Sequence, residues 1–142
     1  MPIRNVSRIS GTGVQIEDPP SSWKVTRQSS GTLITTSSPT SNTWLHFPIP
    51  TPVQIDGVKM KSTEAAVSFQ TTGGGKVTEV KVSDGFTIVN SPGLNLTGSN
   101  TFAQGIANDP LIFRSLVVSI FVQLPAISDS IQLFWAEVNF DG

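Results

Sequence analysis

Short runs of alternating apolar and polar residues recur from one end of this chain to the other, and Gly, Pro, Asn or Asp cuts each one off. No window of useful length carries the i, i+3, i+4, i+7 apolar pattern of an amphipathic helix. The runs "GVQIE", "WKVTR" and "TLITT" follow one another at intervals of roughly 8 to 12 residues, the spacing of an all-β sandwich or barrel. "VQIDGVKM" and "VKVSDGFTIV" each place Asp-Gly between alternating apolar residues, a hairpin signal because the turn needs positive φ. "AAVSFQTTGGGKVTEVKV" reads as two strands joined by a glycine-rich loop. The expectation is one all-β domain over residues 1–142, an antiparallel, jelly-roll-like β-sandwich. Gln28 to Thr43 should hold one strand around Leu33 and Ile34, and Asn90 to Pro110 should be a long irregular connection.

Composition narrows the functions open to such a fold. Charged residues are 13% of the chain, about half the usual share. The net charge of −1 and scattered Lys and Arg argue against a nucleic-acid partner. There is no cysteine, hence no thiolate metal site or cysteine nucleophile. "MPIRNVSRIS" lacks the apolar core of a signal peptide. No apolar run approaches the roughly 20 residues of a membrane helix. A soluble protein without membrane insertion or a visible export signal is expected, either cytoplasmic or reaching the surface by a non-classical route.

The segment "TWLHFPIPTPVQIDG" carries prolines at every second position. Successive backbone N–H groups of a strand point to alternating sides, so Pro48, Pro50 and Pro52 remove donors from one side only. Such a strand pairs on one side and is confined to a sheet edge or a crossover. His46 is the only histidine. Zinc binding would need further His or Cys ligands, and catalysis would need a partner nucleophile or carboxylate, so a hydrogen-bonded structural imidazole is the expectation. Trp44, His46, Pro48, Ile49, Pro50, Thr51 and Pro52 form a W-x-H-x-P-I-P-T-P segment, with Leu45 where an aromatic residue would stand. This segment resembles that of a group of small uncharacterised bacterial all-β proteins. The resemblance implies a shared fold unit and carries no activity.

The remaining chemistry is sparse. "TTGGGK" departs from a phosphate loop at both ends. Asn108 with Asp109, or Asp84, has oxygen donors suited to calcium, but turn chemistry explains them as well. No catalytic residue, metal or cofactor is expected, and the chain reads as a non-enzyme. Two functions follow. The first is a structural or interaction module that self-associates. In "IQLFWAEVNF", strict alternation puts Ile131, Leu133 and Trp135 on one face and Phe134, Ala136, Val138 and Phe140 on the other. "LIFRSLVVSIFVQL" is similarly two-faced. A sandwich has one interior, so Phe121, Phe134, Val138 and Phe140 are the expected homo-oligomer interface. The alternative is a lectin-like, carbohydrate-binding module. Trp23, following "DPPSS", is its expected exposed platform, with the amides of Asn95, Asn100 and Asn108 reading glycan hydroxyls. Trp44 and Trp135 sit in apolar strands and are expected in the core.

Overall fold

A computed structural model describes residues 4–51, 54–55, 57–107, 110–112 and 115–142. The first strands are β1 (Arg4–Ser10), β2 (Gln15–Ile16), β3 (Trp23–Gln28), β4 (Gly31–Thr36) and β5 (Ser41–Pro48). Next come β6 (Gln54–Ile55), β7 (Val58–Lys59), β8 (Lys61–Thr72) and β9 (Lys76–Asp84). The chain ends with β10 (Thr87–Ser91), β11 (Ser99–Gly105), β12 (Leu116–Leu124) and β13 (Ser130–Asp141). One antiparallel sheet runs β11-β8-β13-β4-β3, with β1 paired to the second half of β13; the other runs β10-β9-β12-β5-β2. The two sheets face each other in the jelly-roll-like sandwich that the sequence predicts. Leu45 and Phe47 of β5 and Leu116, Val118, Ile120, Val122 and Leu124 of β12 close the core from one side. Val67 and Phe69 of β8 meet them from the other.

Several local expectations hold. Asp84-Gly85 turns the β9–β10 hairpin, with Gly85 at φ +76° and Thr87 opposite Ser83. Gly57, at φ +79°, turns β6 into β7; Asp56 lies outside the described residues. Gly73 to Gly75 carry the chain from β8 in one sheet to β9 in the other. There the buried Asp129 carboxylate accepts from the N–H groups of Gly74 (2.9 Å) and Ala126 (2.8 Å), joining two neighbouring turns. The connection after Asn90 is more ordered than its composition predicts, because β11 forms an edge strand within it. Asn108 and Asp109 lie outside the described residues.

Strict alternation fails in β13, and the failure overturns the two-faced reading. The pairing with β8 shifts register between Leu133 and Trp135, leaving Phe134 in a β-bulge. A bulge adds one residue to one strand and reverses which side the following side chains take. Ile131 and Leu133 before it and Ala136, Val138 and Phe140 after it therefore all enter one core, each at 0% exposure. Val138 and Phe140 are thus core residues and not interface residues. Phe134 is half-buried at the bulge, and Trp135 goes to the outer face, where the Arg8 guanidinium lies 4.0 Å from its ring centroid. In β12 the second face carries Val117, Ser119, Phe121 and Gln123, a mixed surface and not an apolar one. The continuous apolar patch on which the homo-oligomer expectation stood is absent among the described residues.

The same point on β13 is where its neighbour changes from β4 to β1. Gly11 and Gly31 both press against it, and a Cβ on either would sit 1.9 and 2.0 Å, respectively, from the Leu133 carbonyl oxygen. Gly31 also has φ +141°, a backbone region that L side chains rarely adopt. Gly31→Ala is expected to cost at least ~2 kcal/mol of unfolding free energy. Chemical denaturation checks it; a change below ~0.5 kcal/mol would mean that the β4–β13 contact is looser than described.

Candidate functional site

The outer face of the five-stranded sheet gathers an aromatic pair, the histidine and several charged and amide side chains. It is built from the residues of β5, β9 and β12 that alternate with the core residues. Register sets them in rows: Phe121 lies between Trp44 and Glu79, and Ser119 between His46 and Lys81. Gln123 lies between Asn42 and Lys76, and Val117 between Pro48 and Ser83. A bulge between Phe121 and Val122 in the β9 pairing keeps Lys76 and Glu79 on this face although three positions separate them.

Trp44 and Phe121 form its apolar centre. Both are half-buried, with ring centroids 5.3 Å apart and planes tilted by 59°, within the range of favourable aromatic pairs. From β9, Lys81 reaches across β12 to place Nζ 4.2 Å from the Trp44 ring centroid. Glu79 Oε1 accepts from Asn90 Nδ2 at 3.4 Å. Trp44 was expected in the core. It faces outward because Thr43, Leu45 and Phe47 take the inward positions of β5.

His46 is hydrogen-bonded, as the sequence predicts, with partners that the sequence does not reveal. Its Nδ1 lies 2.7 Å from Ser119 Oγ, and its Nε2 lies 3.4 Å from Glu17 Oε1. Glu17 is positioned by its own backbone: its N–H donates to the Trp44 carbonyl, and its carbonyl accepts from the Thr43 hydroxyl. Serine, histidine and glutamate in line resemble a hydrolytic triad only in composition. Ser119 is 2% exposed and sits in mid-strand. β12 is paired along both sides, by β5 and by β9, so its N–H groups serve the ladder rather than an oxyanion site.

The prolines mark one end of the face. Ile49 N–H donates to the Leu116 carbonyl, so the donors missing at Pro48 and Pro50 lie on the side away from β12. On that side β2 pairs only with His46 and Leu45 and stops before Pro48. β5 is thus second from the edge, with its proline end beyond its last β2 partner; Pro52 lies outside the described residues. Gln15, His46, Pro48 and Val117 line an open, mainly apolar hollow of about 370 Å³ just past the end of β2.

The platform expected around Trp23 is not formed. Trp23 is 8% exposed, and its Nε1 donates to the buried Ser41 Oγ at 2.6 Å. It opens β3 at one edge of the six-stranded sheet, whereas Asn100 lies in β11 at the opposite edge. Asn95 is exposed in the segment between β10 and β11, and Asn108 lies outside the described residues. Three aromatic or amide expectations therefore fall in separate places. Among the described residues no group of three or more His, Asp or Glu side chains is arranged to hold a metal ion. Nor is any helix there long and apolar enough to cross a membrane.

Residues 1–138 match a family of unknown function, DUF6623. The chain belongs to this family. No match is found among curated proteins. Among solved structures, the chain is similar to CBM29-1, a family 29 carbohydrate-binding module from Piromyces equi. Identity there is 12% with a TM-score of 0.50, over 97% of this chain and 90% of that one. It is also similar to a Lys-to-Ala mutant of CBM29-2 in complex with cellulohexaose: 9% identity, TM-score 0.51, over 96% of this chain and 91% of that one. At such identities the likeness is one of fold.

The different placements of the tryptophans give a direct test. Trp23→Ala is expected to cost about 3 kcal/mol or more, because it empties a buried site and strips Ser41 of its donor. Trp44→Ala is expected to cost less than about 1.5 kcal/mol. Urea unfolding of the two variants checks the order, and a reversed order would place Trp44 in the core after all.

Proposed function

We propose that this protein is a non-catalytic carbohydrate-binding module that takes an oligosaccharide on the outer face of its five-stranded sheet. The observation that carries this reading is the Trp44–Phe121 pair, accessible at the centre of the face and ringed by amide, hydroxyl and charged side chains. A sugar ring has C–H faces and a hydroxyl rim. Aromatic rings complement the first, and groups such as Asn42, Gln123, Glu79 and Lys81 complement the second. The register spreads these groups over three rows of the sheet, from Gln123 to Ser119. At about 3.4 Å per residue that is on the order of 14 Å, a length suited to more than one sugar unit. The fold shared with the family 29 modules supports the reading as an analogy of scaffold.

A hydrolytic role for His46 and Ser119 finds no support in the same geometry, since the hydroxyl is covered and its strand amides are engaged. Here the imidazole fixes the floor of the face: it braces β5 against β12 through Ser119 and holds Glu17 beside it.

Affinity electrophoresis against soluble polysaccharides, followed by calorimetric titration with the oligosaccharides that retard the protein, tests the proposal. Trp44→Ala and Phe121→Ala should each weaken binding by about tenfold or more, equivalent to ~1.4 kcal/mol, while both variants keep the β-sheet circular dichroism of the parent. Trp23→Phe should bind like the parent. Absence of retardation across neutral and acidic polysaccharides, or binding indifferent to Trp44→Ala, would overturn it.

A further inference from the structure

Charge on the binding face is unevenly matched. Its two carboxylates have partners: Glu79 accepts from Asn90, and Glu17 faces His46. Lys81 does not have an equivalent one. Its ammonium lies over the Trp44 ring, and among the described residues no carboxylate comes within 4.0 Å of it and no acceptor takes its donors. A Lys ammonium carries three N–H donors and no acceptor. The indole face meets the cation electrostatically without taking up those donors as an anionic oxygen would. Lys81 as a residue is half-buried in the middle of the sheet. Lys76, two rows along, adds a second cation to the same strand and face.

Position gives this ammonium a role in selection. It is stacked on Trp44, so a ligand that reaches the indole meets Lys81 first. A neutral sugar must displace it and forfeit the cation–π contact, or accept its N–H donors through hydroxyl oxygens, which match the full charge of an ammonium less well than a carboxylate does. A ligand carrying a carboxylate meets the same group as a charge-assisted donor and leaves the cation–π contact in place. Specificity is the difference between those two outcomes. We infer that the glycan recognised is acidic: a uronic acid-containing polysaccharide whose carboxylate is bound by Lys81 beside Trp44. This rests on the carbohydrate-binding reading and specifies its ligand class.

The test is calorimetric titration at low ionic strength with short oligouronates (galacturonate, glucuronate, mannuronate and guluronate), each paired with its counterpart in which the carboxyls are reduced to hydroxymethyl groups. A sulfated oligosaccharide serves as a third arm. At least one oligouronate should bind about tenfold tighter than its reduced counterpart. The difference should shrink as salt is raised, as expected of a partly exposed ion pair. Lys81→Gln should abolish the acid-over-neutral ratio, and Lys81→Arg should keep most of it. The parent ratio requires no variant, so a folding defect in either substitution leaves the outcome readable. Equal binding of acidic and reduced sugars, a ratio unchanged by Lys81→Gln, or preference for the sulfated probe would overturn the assignment. If neutral sugars bind and Trp44→Ala abolishes that binding, this inference fails while the carbohydrate-binding reading stands. If no probe binds at all, both fail.

Discussion

The pleat of β13 changes sides at Phe134, and the two layers depend on that reversal. Without it, the last strand would turn either Ile131 and Leu133 or Ala136, Val138 and Phe140 toward solvent. With it, one strand supplies core residues along its whole length while its partner changes from β4 to β1. The cost is a crowded backbone at the change-over. There, only residues without a Cβ fit against the Leu133 carbonyl, which explains glycine at both position 11 and position 31. The bulge settles register, partner exchange and core composition together.

The opposite sheet shows what this arrangement leaves available. Because the core takes every inward position of β5 and β12, their outward positions are released from packing duty. Those positions hold an aromatic pair, a histidine with two partners, and lysines and carboxylates set in rows. The rows come from the ladder itself, which gives the face a rigidity that loop-borne sites lack. Ser119 shows how economical the floor is: nearly inaccessible, it fixes the imidazole above it and so keeps β5 and β12 in a constant relation.

Much of the fold was legible because strand period and turn chemistry are local. Asp84-Gly85, the glycines at 73–75 and the short β-branched runs between turn residues each declare themselves within about ten residues. The bulge does not, since Phe134 differs from its neighbours only in how β8 pairs with it, and that partner is some 65 positions away in the chain. Hence strict alternation splits Ile131 and Leu133 from Ala136, Val138 and Phe140, although all five enter one core. The site suffered likewise. Trp44 sits among apolar residues, but parity with Leu45 and Phe47 decides its side; Trp23 follows a polar turn, but its indole nitrogen is claimed by Ser41 from a later strand. Glu17 and Ser119 reach His46 only through pairing across three strands. Their sequence spacing gives no hint of it.

Arg4 stands opposite Asp141 in the register of β1 with β13, so the chain enters and leaves the sandwich side by side. Both strands belong to the six-stranded sheet, the layer behind the Trp44 face. A tether joined to the outer end of either strand would therefore leave from the layer behind the aromatic face, away from Trp44 and Phe121. The same adjacency makes the sandwich suitable for insertion: spliced into a surface loop of another protein, it would need little separation between its two junctions, and it would present its face without a long linker.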